Sequence, residues 1–330
     1  MKKLRLTLAC WDYDRVAALR TGDVRADGID LVFLNQPVEE TFFRMLRHRE
    51  FDVAEMSLSS YTVSLAGKQP PFIAIPVFPS RFFRHSSIYV SAKSGITRPE
   101  QLAGRRVGVP EYQMTASVWI RGMLSDEYGV KAEGVEYATG GQEQPGRGEK
   151  LKLSLPRQFR VKPIGPKQTL SQMLADGEID ALYTARAPSS FHSKPDAVRR
   201  LFPDFVAVER EYFRRTGIFP IMHTVVIRRE LYRANRWVAQ SLAKAFAKAQ
   251  RKTYRDLGET AALKAMLPWL AAHVEEARRE LGDDWWPYGY APNKKVLETF
   301  LRYHHEQGLS PRRLAPEALF APETLESFVI

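Results

Sequence analysis

The sequence predicts an α/β protein built from two units of the same style. Strand and helix patterns alternate from Leu4 to Ser57 as β-α-β-α-β, the mark of a mostly parallel sheet covered by helices. A second strand-helix run follows from Arg106 to Tyr183, and the chain then returns to long helical patterns. At 330 residues the chain exceeds one typical core. A composition of 44% hydrophobic and 26% charged residues is that of an ordinary soluble protein.

In order, Leu4 to Cys10 alternates as a half-buried strand, WDYDRVAALRTGDV is a loop entering a short helix, and Gly28 to Phe33 is the next strand. Val38 to Arg49 has helical spacing at Phe42, Phe43 and Leu46, and Phe51 to Ser57 is a short strand. PFIAIPVF is an apolar approach that ends at Pro79-Ser80, with β-type residues resuming at Ile88. Open parallel sheets bind ligands at the carboxyl ends of their strands. Those ends are Trp11 to Asp14, Glu55 to Ser59 and Ser80 to His85, and each is polar.

The second unit has a strand at Arg106 to Val109, a polar turn at Pro110 to Thr115 and a helix running to about Tyr128. Thr115 or Ser117 is expected to cap that helix, with Glu111 and Gln113 beside its positive end, where an anion could dock. Gly140 to Gly148 is a breaker-rich loop continued by the basic run KLKLSLPRQFRVK. Thr169 to Gly177 is a helix, Ile179 to Tyr183 a strand, and Thr184 to Ser190 a polar strand end containing Arg186. Ile221 to Ile227 is a β-rich run with His223 inside it, and Ala234 to Thr253 a long amphipathic helix. The aromatic loop DDWWPYGY, residues 283 to 290, is expected to pack rather than to line a pocket.

The formal charge of +11 favours anionic partners. The basic excess is scattered, as in Arg228-Arg229, Arg278-Arg279 and Arg312-Arg313, which argues against nucleic acid. The lone cysteine, Cys10, excludes an intramolecular disulfide and a cysteine-rich zinc site, and its apolar strand suggests a buried thiol. LRLTLAC after Met1-Lys2-Lys3 is too short for a signal-peptide core, and no stretch is apolar and long enough to span a membrane. A cytoplasmic protein with no membrane partner is expected; a homo-oligomer is left open.

FPSRFFRHSSIY, residues 78 to 89, brings two arginines and a histidine together at a strand end. Arg81 and Arg84 can each present a planar charged fork to a carboxylate, and His85 titrates near neutrality when unperturbed. A solvated basic turn is the competing reading. His223, in an apolar strand, can equally be a hydrogen-bonded core histidine, and Glu55 can be a helix cap. His48, His192, His273, His304 and His305 are expected at the surface, and none forms a metal signature.

ITRPEQLAGRRVGVP followed by a helix, then TLSQMLADGEIDALYT, resembles the second lobe of type 2 periplasmic-binding-protein folds. PSRFFRHSSIYV, GVPEYQMTASVWIRGML and GIFPIMHTVVIRREL together resemble the 4,5-dihydroxyphthalate decarboxylase family, similar in fold to those binding proteins but acting as intracellular enzymes. The resemblance covers nearly the whole chain. It implies a two-lobed fold, each lobe a mostly parallel sheet flanked by helices, with a ligand cleft between the lobes. Lobe 1 would be residues 1–90 plus 222–330, including the C-terminal helices, and lobe 2 the inserted residues 91–221.

The activity implied is non-oxidative decarboxylation of a dihydroxylated aromatic dicarboxylate, 4,5-dihydroxyphthalate to protocatechuate and CO2, as in phthalate degradation. Each ring hydroxyl lies para to a carboxylate, so its partial deprotonation pushes electrons onto the carbon that an acid must protonate. Arg81, Arg84 and Arg186 would anchor the small anionic aromatic substrate. His85, Glu111 and His223 are the candidate proton handlers, either with Glu111 as a desolvated ring-protonating acid and a histidine facing the hydroxyls or with the roles reversed. Tyr13, Asp14, Glu55, Ser57, Tyr112, Gln113 and Thr115 complete the expected substrate contacts. No cofactor is expected; the alternative is a divalent ion bridging Glu55, Glu111, His85 and the catechol oxygens. The rival functions are a solute-binding protein for an aromatic carboxylate, without catalysis, and another enzyme on the same fold.

Overall fold

The computed structural model describes residues 3–326. In chain order the first segment is β1 (Leu4–Cys10), α1 (Asp14–Thr21), β2 (Ile29–Asn35), α2 (Val38–His48), β3 (Val53–Ser57), α3 (Leu58–Ser64) and β4 (Phe72–Arg81). There follow β5 (Ile88–Ser91), β6 (Arg106–Val109), α4 (Thr115–Tyr128), β7 (Glu136–Thr139), β8 (Arg160–Pro163), α5 (Leu170–Asp176), β9 (Ala181–Tyr183), α6 (Ser189–Ser193), β10 (Val198–Arg200) and α7 (Phe205–Thr216). The chain closes with β11 (Ile221–Arg228), α8 (Arg229–Ala234), α9 (Trp237–Leu257), α10 (Leu270–Leu281) and α11 (Lys294–Glu306).

These elements form two compact units, one of Met1–Arg81, His223–Lys295 and Ala315–Ile330, the other of Phe82–Met222 and Val296–Leu314. Residues 82–90, 222 and 296–314, expected in the first lobe, therefore group with the second unit. A packing detail explains the latter segment. A Cβ on Gly122 of α4 would lie 2.1 Å from the ring of Tyr303 of α11, so the bare glycine lets that ring lie on the helix.

The first unit holds a five-stranded sheet in the order β2-β1-β3-β11-β4. β1 is parallel to β2 and β3, and β11 returns antiparallel to β3. Its core is an aliphatic layer, in which Leu6, Leu8, Val53, Ile75 and Val225 of the strands meet Val16 and Leu19 of α1 and Leu242 and Phe246 of α9. The buried positions of α9 recur three and four apart, as an amphipathic helix requires. The second unit holds a six-stranded sheet in the order β10-β5-β9-β6-β7-β8. There β6 is parallel to β7 and β9 and β7 to β8, whereas β5 is antiparallel to β9 and β10. Both sheets are thus mixed, with parallel pairs predominating among those whose register is defined.

Several local expectations are corrected. β4 runs through Pro79 and Ser80 to Arg81, so the basic burst begins inside the strand. The N-cap of α4 is Met114, with no side-chain cap bond; Thr115 is already helical and the buried Ser117 hydroxyl has no partner. β8 lies within the basic excursion, where it is an edge strand whose charges and terminal Pro163 hide the strand pattern. His304 is buried rather than exposed, its Nδ1 bonded to the Ser310 hydroxyl. Among the described residues no helix is long and apolar enough to cross a membrane.

Candidate active site

Strand register in the first unit gathers one carboxylate and its donors. Ala9 pairs with Ala54, which sets Cys10 beside Glu55, and across β11 Glu55 pairs with Val225 and Ser57 with His223. Residues two apart share a face, so Glu55 and His223 are diagonal neighbours on one face of the sheet. The carboxyl ends of β1 and β3 and the start of β11 thereby meet.

Glu55 is fully buried in a strand of otherwise neutral residues. Its Oε1 accepts from the Tyr13 hydroxyl at 2.7 Å and lies 2.6 Å from His223 Nδ1. Its Oε2 accepts the Trp11 amide at 3.1 Å and the Cys10 thiol at 3.6 Å. Burial pushes the Glu55 carboxyl up, but the hydrogen bond and charge of His223, with the Tyr13 hydroxyl and the Trp11 amide, outweigh it and hold the group below its usual value. Burial and then the Glu55 charge push the Tyr13 phenol and the Cys10 thiol up, so both stay protonated donors.

The His223 side chain is 17% exposed, whereas Glu55 is sealed. The edge of His223 meets Phe42 of α2 at 4.9 Å and 82°, which fixes the plane of the ring. With Nδ1 committed to the carboxylate, Nε2 is the atom left to exchange a proton with a bound molecule. Tyr13 precedes α1 directly, and Arg15 lies over the Tyr13 ring at 4.1 Å and the Trp286 ring at 4.4 Å. Asp14 pairs with Arg15 at 3.0 Å, and Ser57 caps α3 by accepting the Ser60 amide at 3.4 Å.

Arg81, expected as an anchor, is instead buried in the first unit and donates to Pro287 O at 2.7 Å and to Asn293 Oδ1. It ties down the aromatic loop, as does Trp286, which donates to Phe78 O at 2.9 Å; this loop packs, as its composition suggests.

In the second unit Arg84 stacks over Phe82 at 4.6 Å, and its neighbours are weak and neutral: Met222 Sδ at 3.2 Å, Ser87 Oγ at 3.4 Å and Ala185 O at 3.5 Å. Burial lowers its pKa to about 10, against the charge of Glu209, so it remains a cation at neutral pH. No carboxylate lies in ion-pair reach of Arg84 among the described residues. Arg186 is exposed and outside β9, its amide donating to Thr184 Oγ1 at 3.2 Å.

His85 does not sit as a proton handler. Its ring is 1% exposed, edge-on to Phe202 at 5.3 Å and Tyr212 at 5.2 Å, and Nδ1 has no hydrogen-bond partner. Burial, and then Arg215, pull its pKa down to about 4, so the ring is neutral at physiological pH. Glu111 is not an isolated acid either. Arg147 Nε donates to it at 3.0 Å, and Lys150 donates through both Nζ and its amide. A buried carboxylate bracketed by two cations is a compensated ion cluster.

Tyr112 is a core residue, its hydroxyl donating to Gln307 O at 3.1 Å and its ring 3.9 Å from the Arg121 guanidinium. Gln113 is buried with both amide atoms unpartnered, and Thr115 opens α4. The sequence reading missed Arg147, within the breaker-rich loop, Lys150, at the head of the basic run, and Glu149 between them. The signal available was that a buried Glu111 needs counter-charges, and that loop and the basic run after it carry them. Glu149 accepts the Tyr112 amide, and burial followed by the charge of Glu111 pushes its carboxyl up to about 7.

Among the described residues no three or more His, Cys, Asp or Glu side chains are grouped to hold a metal ion. The oxygens of Glu55 and Glu111 are taken by the donors named above.

Comparison with known proteins decides the family. The chain is 46% identical over all 330 residues, covering the whole of both chains, to the 4,5-dihydroxyphthalate decarboxylase of Comamonas testosteroni. The chain belongs to the 4,5-dihydroxyphthalate decarboxylase family. It is a carboxy-lyase by that membership. A second member, from Pseudomonas putida, is 45% identical over 214 residues, 65% of this chain and 83% of that one. No protein-family model matches the chain. Among solved structures, the periplasmic aliphatic sulphonate binding protein SsuA of Escherichia coli aligns with a TM-score of 0.54 at 13% identity, covering 98% of this chain and 99% of that one. That likeness gives the decarboxylase family member its fold, a two-lobed α/β fold of the periplasmic-binding-protein kind.

Proposed function

We propose that this protein decarboxylates 4,5-dihydroxyphthalate to protocatechuate and CO2, with His223 as the residue that moves the proton and Glu55 as the residue that positions it. The observation that carries this reading is the sealed Glu55 carboxylate on Nδ1 of a partly exposed His223. A carboxylate there holds Nδ1 and orients the ring, leaving Nε2–H to donate.

In the proposed step the para hydroxyl gives its proton to solvent, taking one back once the ring is aromatic again, and the ring carbon bearing the carboxylate takes one from His223 Nε2–H. The C–C bond then breaks, its electron pair returns to the ring, and CO2 leaves. The dianion plus one proton becomes the protocatechuate monoanion plus CO2, and His223 is reprotonated from solvent. The ring hydroxyls supply the electron push, so the route uses no cofactor. Tyr13 stays protonated beside Glu55 and keeps one carboxylate oxygen occupied. The departing carboxylate should be held loosely, because a tight ion pair to it would be lost in the transition state.

The test is to mix the purified protein with 4,5-dihydroxyphthalate and follow CO2 and protocatechuate, for the wild type and for His223→Gln. Turnover by the wild type that falls steeply in the variant is expected. Binding without CO2 release by the wild type, or full turnover by the variant, overturns the reading.

A further inference from the structure

Three parallel strands at one edge of the second unit's sheet carry an ordered set of charges. Their register aligns Arg106 of β6 with Glu136 of β7 and Arg160 of β8, and two residues on it aligns Gly108, Ala138 and Lys162. Residues two apart point to the same side of a sheet, so these two rows share one face. A cavity of about 560 Å³, lined by Arg106, Glu136, Arg160 and Lys162, opens there. That volume is in the range of small-ligand pockets, roughly 300 to 1,000 Å³.

The cavity has an apolar floor and a cationic rim. Ala138, Phe159 and Met173 on its wall are buried, and Ile164 is partly so. The rim adds Arg157 from the turn before β8, giving four cations against the two carboxylates Glu136 and Glu178. Both carboxylates are engaged within the rim, Glu136 with Arg160 at 2.8 Å and Glu178 with the Gln168 side-chain amide at 2.9 Å, so Glu136 offsets one of the four cations. The side chains of Arg106, Arg157 and Lys162 are exposed and make no hydrogen bond or ion pair among the described residues. Two guanidinium forks and an ammonium are therefore left over around an apolar surface.

The loop amides do not form a phosphate cradle. The Gly165 amide donates to Gln168 Oε1 at 2.8 Å, and the Gln168 amide donates back to Gly165 O at 3.0 Å. What remains to meet an anion is mainly the planar arginine fork, which matches a carboxylate in two parallel hydrogen bonds. Between the forks the wall is apolar, with Ile164 partly exposed beside the buried Phe159 and Ala138, and a flat apolar body can rest on it.

We propose that this cavity binds a small aromatic carboxylate, its ring on the Phe159–Ala138–Ile164 floor and its carboxylate between Arg106, Arg157 and Lys162. The site shares no residue with Glu55 and His223 and does not depend on what those two do.

Calorimetric titration of the full chain with phthalate, at roughly 0.15 M salt so that loose surface pairing is screened, tests it against the variant R157A/K162A. Both positions are exposed and outside the catalytic machinery, so the variant should fold and keep its turnover within about twofold. The expected result is one phthalate fewer per chain in the variant, or at least about a tenfold weakening of one of its sites. Unchanged stoichiometry and affinity overturn the proposal, as does inorganic phosphate displacing phthalate at equal concentration, which would mean that charge alone is read. If the catalytic reading fails instead, His223→Gln turns over normally while the loss of phthalate in R157A/K162A persists.

Discussion

His223 and His85 are both packed against aromatic edges, and only His223 has a carboxylate. Its Nδ1 lies 2.6 Å from Glu55, whereas Nδ1 of His85 has no partner among Phe202 and Tyr212. Burial next to a counter-charge gives an oriented imidazole that can carry a proton; burial without one gives a neutral packing group. The same contrast separates two glutamates of the second unit. Glu111 is bracketed by Arg147 and Lys150, while Glu149, with one oxygen buried and unpartnered, is pushed up to about 7.

The largest effect should come from the histidines themselves. His223→Gln is expected to lower kcat by about 10² to 10⁴, the usual worth of general acid–base catalysis, while His85→Phe, which fills the same cage, changes kcat by no more than about threefold. Glu55→Gln should fall between them, because it acts through His223. A folded His85→Phe protein without turnover would end the contrast.

Next in size is a stability effect that opposes the two unpaired groups. The His85 pKa is depressed to about 4. Its neutral form is the one that fits, so its contribution is fully present above about pH 6.5 and is lost as pH falls toward 4. Wild type should therefore lose about 2 kcal/mol between pH 7 and 5 that His85→Phe keeps, read from urea midpoints at the two pH values. Glu149 runs the other way: its raised carboxyl stabilises the fold below its ordinary value and that contribution is lost as pH rises toward 7. Glu149→Gln should gain up to about 3 kcal/mol over the wild type at pH 8 and little at pH 4. Equal midpoint differences at both pH values would mean that Glu149 is not held protonated.

The smallest effect expected is that of a chelator. The oxygens of Glu55 and Glu111 already have donors, so dialysis against EDTA should leave the rate of protocatechuate formation unchanged; a loss restored by one divalent ion would return the metal-bridged alternative.

Much of the fold was legible in the sequence. β1, α2, β3, β6 and β9 follow from apolar periodicity, and the helix at Thr115–Tyr128 from its polar turn. What failed were signals that periodicity does not carry. β8 is short, charged and at an edge, so neither alternation nor apolarity marks it. The cap of α4 was assigned to a hydroxyl because Thr115 and Ser117 are the residue types that usually cap, yet the chain turns at Met114. The site was legible by residue type and only partly by role. Tyr13 and Glu55 were named separately at two strand ends and His223 inside a β-rich run, and Arg81 was named as an anchor because a basic burst at a strand end looks accessible.

The sequence by itself determined the α/β class, the family through its restrictive segments and the inventory of ionisable groups. Those are properties of residue identity and spacing along the chain. Tertiary structure decided which histidine meets a carboxylate, that Arg81 is spent on Pro287 and Asn293, and that the breaker-rich loop and the basic run after it supply the counter-charges of Glu111. Each of these joins residues 36 to 212 positions apart, and whether a buried charge is compensated depends on a neighbour within a few ångströms, a distance that only the folded chain sets.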